Sequence, residues 1–240
     1  GRTIQEALTR AKKKEAIGYR YSYDMLGEAA LTKMDADRYF EAYRQAIEAI
    51  GTQSSGASNV FETPGISIKL SALHPRYQEA QRDRVLSELG PKLLSLAQLA
   101  KQHQISFTID AEESERLELS LDLIEQVFND SSLSGWNGFG MAIQSYQKRA
   151  FYLLDWVAQL ARKNNRRMMV RLIKGAYWDS EIKKTQAQGL KDYPVFTRKT
   201  FTDVSFQACA KKLLTMTDAI YPQFATHNAY SVALILELVG

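Results

Sequence analysis

Short apolar runs alternate with longer amphipathic stretches along most of the chain. Six runs read as strands: GISIKLSAL (65–73), ISFTIDAEE (105–113), GFGMAIQSY (138–146), RRMMVRLIKGAY (166–177), a short one opening VFTRKTFTDVSFQACAKKLL (195–214), and YPQFATHNA (221–229). Their apolar residues run on with little polar alternation, as in strands buried on both faces. Between them lie helical patterns. RLELSLDLIEQVF (116–128) and KRAFYLLDWVAQLARKNN (148–165) repeat apolar residues at helical spacing. Leu93, Leu94, Leu96, Ala97, Leu99 and Ala100 belong to another helix, with a break expected at Gly90-Pro91.

The first 57 residues read as helical. In DADRYFEAYRQAIEAIG, Tyr39, Phe40, Tyr43, Ala46, Ile47 and Ile50 form one stripe, with Asp35 as N-cap and Gly51 as the stop. The Gly-, Ser- and Thr-rich residues 51–65 read as a linker or loop. The expected organisation is therefore a helical segment over 1–57 and a βα domain over 58–240. Alternating strands and helices predict an α/β fold with a parallel sheet. No G-x-G-x-x-G or Walker sequence follows any strand, so a (βα) barrel gains over a doubly wound sheet.

Polar residues then fall at the strand ends: Lys69, Asp110, Gln144, Arg171 with Lys174, and His227 with Asn228. In a barrel the C-terminal strand ends form one rim, where active sites sit. A single strand-end lysine is ordinarily a snorkelling or paired side chain; five strands ending this way predict a shared site. The cluster has one histidine and no His-x-x-His pair or carboxylate triad, so no metal centre is expected. No Ser-His-Asp arrangement stands out. The surplus of cations suits an anionic substrate, or the anionic ring and phosphates of a cofactor. Tyr177 and Trp178 offer flat faces to a planar ring, although aromatics beside an apolar strand are ordinarily core.

Composition narrows the picture only a little. The net charge of +4 is mild, and the densest basic run, Lys12–Lys14, reads as a solvated helix face. No nucleic-acid motif is present, so no nucleic-acid partner is expected. The N-terminus lacks the apolar core of a signal peptide, and no apolar run approaches the roughly 20 residues of a membrane helix. Cys209 is the only cysteine, which rules out an internal disulfide and leaves a reducing cytoplasm as the expected compartment.

RLIKGAYWDSEIK resembles a signature of proline dehydrogenases, above all the proline dehydrogenase domain of the bifunctional proline utilization A flavoproteins. YSYDMLGEAA (21–30), ISIKLSALHPRY (66–77), TIDAEE (108–113), AIQSYQKRA (142–150) and FATHNA (224–229) match in family order, so the resemblance spans nearly the whole chain. It implies a (βα)8 TIM-type barrel with non-covalent FAD above the strand ends. L-Proline would be oxidised to Δ1-pyrroline-5-carboxylate, with hydride passing to flavin N5 and electrons to membrane quinone. By resemblance, Arg171 and Gln144 contact the isoalloxazine, with Arg171 near N5. Lys174, Gly175, Ala176, Tyr177 and Trp178 line the turn beside flavin and substrate, and Thr226, His227 and Asn228 lie along the cofactor. Lys69 pairs with the proline carboxylate, Asp110 organises polar neighbours, and Glu28 gates the site by pairing with a substrate-binding arginine. Peripheral contact with the inner face of a membrane, and an aldehyde dehydrogenase domain in the same parent chain, are further implications.

The family pattern continues with two more strands and a helix carrying a Tyr, an Arg-Arg pair and a Glu. This sequence stops at Gly240, with about six strands. Two other readings stay open. One is a Schiff-base lyase or aldolase using Lys174 or Lys69. The other is a binding module engaging nucleic acid or a membrane through the basic first segment.

Overall fold

A computed structural model describes residues 3–25, 29–54 and 59–240. The strands are β1 (Ser22–Asp24), β2 (Gly65–Ile68), β3 (Ser106–Ile109), β4 (Phe139–Gln144), β5 (Met168–Ile173) and β6 (Ile220–Phe224). The helices are α1 (Ile4–Glu15), α2 (Lys33–Gln53), α3 (Leu70–Leu73), α4 (Arg82–Gln102), α5 (Leu117–Phe128), α6 (Ala150–Lys163), α7 (Trp178–Ala187), α8 (Lys199–Leu214) and α9 (Ala229–Val239). The strands are hydrogen-bonded in chain order. The β1–β2, β2–β3 and β5–β6 ladders are parallel. Strand followed by helix is the repeat of a (βα) barrel wall, as the sequence pattern predicts. No helix among the described residues is long and apolar enough to cross a membrane.

Two compact units make up the chain: Gly1–Asp110 with Glu118–Gly140, and Ala111–Leu117 with Met141–Gly240. In the first, Phe139 of β4 packs against Phe107 of β3 and Phe128 of α5, with ring centroids 5.9 and 5.6 Å apart. Side chains alternate along a strand, so the partners of Phe107 on the opposite face are Ser106 and Thr108. The β1–β2–β3 register sets Asp24 beside Ser67 and Ser67 beside Thr108. Asp24, Lys69 and Asp110 therefore end one polar face, while Ile66, Ile68, Phe107 and Ile109 fill the apolar one.

Three local expectations are corrected. The run at 195 is not a strand, because Val195 makes only an isolated antiparallel bridge to Gln147. The strand that replaces it in the count is β1, whose three residues are too few to carry a periodic signal. α4 runs unbroken through Pro91. The proline forfeits one N–H bond, but Leu89, Leu93, Leu96 and Ala97 are fully buried, and burial of that face outweighs local propensity. Finally, the N-cap of α2 is Thr32, not Asp35. The Thr32 hydroxyl accepts from Asp35 N at 3.1 Å and Asp35 Oδ2 accepts from Thr32 N at 3.0 Å, a reciprocal capping box.

Candidate active site

In the first unit, three successive strand ends converge on one ammonium group. Lys69 Nζ lies 3.1 Å from both Asp24 oxygens and 3.1 Å from Asp110 Oδ2. Lys69 is 8% exposed. Burial alone would depress its pKa; the charges of Asp110 and Asp24 outweigh that, and the net shift is upward. The backbone behind it is fixed as well, since Lys69 N donates to the hydroxyl of fully buried Tyr43 at 3.2 Å. Burial pushes the Tyr43 phenol up to about 12, so it stays a neutral hydrogen-bonding group. The result is an anchored lysine at a strand end whose charged form is favoured by the two carboxylates.

Asp24 escaped the sequence reading, although it stands in the YSYDMLGEAA motif. With β1 unrecognised, nothing marked it as a strand-end residue. Glu28, the expected gate, lies outside the described residues.

The second unit carries the turn between β5 and α7. Alternation along β5 sets Arg171 and Ile173 on the face opposite Val170 and Leu172, and Arg171 pairs in register with Gln223 of β6. Gln223 Oε1 is a buried acceptor with no hydrogen-bond partner. It is another residue the sequence did not reveal, because one glutamine inside YPQFATHNA carries no distinguishing pattern. Lys174 turns towards α8: its Nζ is 2.6 Å from Asp203 Oδ1 and 5.6 Å from the centroid of the Phe206 ring.

Gln144 is fully buried at the end of β4. Its Nε2 donates to Glu112 O at 2.8 Å and its Oε1 accepts from Ala176 N at 2.9 Å. It therefore holds the turn. Gly175 has φ +151°, and a Cβ there would come within 2.5 Å of the Tyr146 ring. The bare backbone at Gly175 thus makes room for the Tyr146 ring. Tyr177 is the N-cap residue of α7. Trp178 is 42% exposed and its indole N–H donates to Phe196 O at 3.0 Å. Thr226 Oγ1 accepts from Asn228 N at 3.1 Å, and Asn228 Oδ1 caps α9 by accepting from Ser231 N at 2.9 Å. His227 is exposed.

The first unit thus carries a buried lysine held by two carboxylates. The second, taken by itself, carries a partly exposed arginine in register with a glutamine whose carbonyl is unsatisfied, and a braced aromatic turn. The family model described as proline dehydrogenase matches residues 7–240, a span that takes in every one of these residues. The chain belongs to the proline dehydrogenase family. It is 60% identical over its full length to the bifunctional protein PutA of Escherichia coli K12 and 59% identical to that of Klebsiella aerogenes. It covers 18% of each, so the chain spans less than a fifth of these curated relatives. A crystal structure of the D779Y mutant of Bradyrhizobium japonicum proline utilization A superposes with a TM-score of 0.92. That match is at 57% identity, over 99% of this chain and 24% of the other. The α/β architecture of the proline dehydrogenase family, TIM-type and with a helical N-terminus, is the one described above.

Proposed function

We propose that this chain carries the flavin-dependent proline-oxidising centre of a longer protein, converting L-proline to Δ1-pyrroline-5-carboxylate with loss of two electrons and two protons. The observation that carries the proposal is the Asp24–Lys69–Asp110 cluster. A buried ammonium at a strand end offers a carboxylate ligand a charge-assisted partner once the ligand displaces or shares one of the two carboxylates that hold it. Asp24 is the half-exposed member of the cluster, with 47% of its side chain accessible, and is the carboxylate a ligand could displace or share.

The second unit suits FAD on its donor set. Arg171 supplies positive charge, and the orphan Gln223 Oε1 one strand away supplies an acceptor that a ring N–H would satisfy. The cofactor, when bound, supplies a two-electron acceptor for the hydride of proline. Arg171 stabilises the negative charge that develops there. Gln144 holds Ala176 so that the turn keeps its shape, and Trp178 is steadied by its bond to Phe196 O. Electrons would pass to a quinone, and the parent protein would add an aldehyde dehydrogenase domain to consume the product. A cytoplasmic location with peripheral contact at the inner face of a membrane fits that chemistry.

The Schiff-base reading is disfavoured by the same cluster. A nucleophilic lysine must lose its proton, whereas Lys69 is held protonated by two carboxylates and Lys174 is ion-paired to Asp203. Borohydride trapping in the presence of carbonyl substrates should label neither lysine. Titration with FAD followed by L-proline tests the proposal: flavin binding and proline-dependent dye reduction support it, and a folded protein that takes up no flavin refutes it.

A further inference from the structure

Within the second unit the segment Glu112–Ser114 is held from several directions. Glu112 O accepts from Gln144, and Ser114 O accepts from Arg149 at 2.6 Å. Both donors of Ser114 go to one carboxylate: its N–H to Glu181 Oε1 and its hydroxyl to Glu181 Oε2, each at 2.6 Å. Glu181 is 4% exposed and stands in the first turn of α7, where its own N–H donates to Tyr177 O at 3.0 Å. Gln144 closes the other side through Ala176 N. These bonds form a ring through Ala176, Gln144, Glu112, Ser114, Glu181 and Tyr177. The turn between β5 and α7 is one arc of that ring.

Burying a carboxylate is costly unless both oxygens are bonded, and an apolar side chain would fill the same space without that cost. Here both oxygens are spent on a single residue, which fixes the position of Ser114 relative to α7. Tyr146, whose ring closes against Gly175, lies close to the same carboxylate. Burial first, and then the Glu181 charge, push its phenol up.

We propose that Glu181 is a positioning residue for the reaction: through Ser114 it locks the Gly175–Trp178 turn in the shape that receives the cofactor. This rests on the proposed function, since the turn matters only if flavin sits against it.

The test uses Glu181→Ala, Glu181→Gln and Ser114→Ala in this chain, with two readouts. The first is amide hydrogen exchange at Ala176, measured without flavin. The second is the FAD dissociation constant from fluorescence quenching. Glu181→Ala should speed exchange at Ala176 by roughly tenfold, the scale of one lost hydrogen bond to a charged group, and weaken FAD binding by a similar factor. Glu181→Gln should restore both, because its amide oxygen still accepts from Ser114 N while its NH2 can donate to the Ser114 hydroxyl. If Glu181→Ala does not fold, Ser114→Ala removes one bond alone and should give a smaller, still selective rise in exchange. Unchanged exchange and affinity would overturn the proposal. So would exchange rising equally at Ala176 and at core amides of β4 and β5, since that marks general stabilisation only. A wild-type protein that binds no FAD would sink the proposed function, while the exchange arm would still decide whether Glu181 locks the turn.

Discussion

Replacing Gly175 with Ala should be among the most damaging small changes in the second unit. Two costs add. At φ +151° an L side chain is strained, worth about 1–3 kcal/mol. The new Cβ would also meet the Tyr146 ring at 2.5 Å, and overpacking of that kind costs roughly another 1–3 kcal/mol. The ring has little freedom to retreat. It is buried, and its backbone is pinned on both sides: Tyr146 N donates to Lys174 O and Tyr146 O accepts from Phe196 N, each at 2.8 Å. A total of about 4 kcal/mol is therefore expected, which for a chain of this size lowers the melting temperature by on the order of 10 °C. Thermal and urea unfolding of wild type, Gly175→Ala, Tyr146→Ala and the double variant measure it. In the Tyr146→Ala background only the torsional cost should remain, so the cycle should show a coupling of about 1–3 kcal/mol. A Gly175→Ala protein within about 0.5 kcal/mol of wild type, or an equal cost in both backgrounds, would refute this reasoning.

Lys69→Met should remove the ammonium that lies between Asp24 and Asp110. It should cost roughly 2–4 kcal/mol, below the full cost of breaking a buried pair because Asp24 is half exposed, and proline saturation kinetics should show KM rising more than kcat falls. The folded pKa of Lys69 is raised, so the stability it contributes is fully present below the unfolded value of about 10.4 and is lost as pH rises through the folded value. Amine acylation at about pH 9, read by mass spectrometry, should accordingly find Lys69 among the last lysines modified. His74 titrates the other way. Burial depresses its pKa against the opposing bond to Glu88, so its contribution is present above about 6.5 and is lost as pH falls through the folded value. Melting temperatures across that range should fall towards acid, and less steeply in His74→Asn. Arg171→Met should slow flavin reduction by proline roughly hundredfold, the scale the role proposed for Arg171 requires; stopped-flow absorbance measures it.

Several candidate positions could be picked out along the chain because of how its strands are built. Buried strands have few polar residues, so Lys69, Asp110, Gln144 and Arg171 stood out where each apolar run ended. Asp24 follows the same rule, but β1 has three residues and too little contrast with the helical sequence around it. The direction of Lys174 was hidden for a different reason: one residue past the strand its side chain is set by the loop and by Asp203 and Phe206, which lie about 30 positions away. Gly175 was legible as a special position, but not the partner that makes it so, because Tyr146 reaches it through tertiary packing. Asn228 serves as a helix cap, a role any Asn before a helical run can fill.

The most direct test is the visible spectrum of the protein reconstituted with FAD and mixed anaerobically with L-proline. Proline should bleach the oxidised flavin band, and the Lys69→Met and Arg171→Met variants should bleach slowly or incompletely. A folded, flavin-loaded protein whose spectrum proline leaves unchanged would contradict its assignment as a proline-oxidising centre.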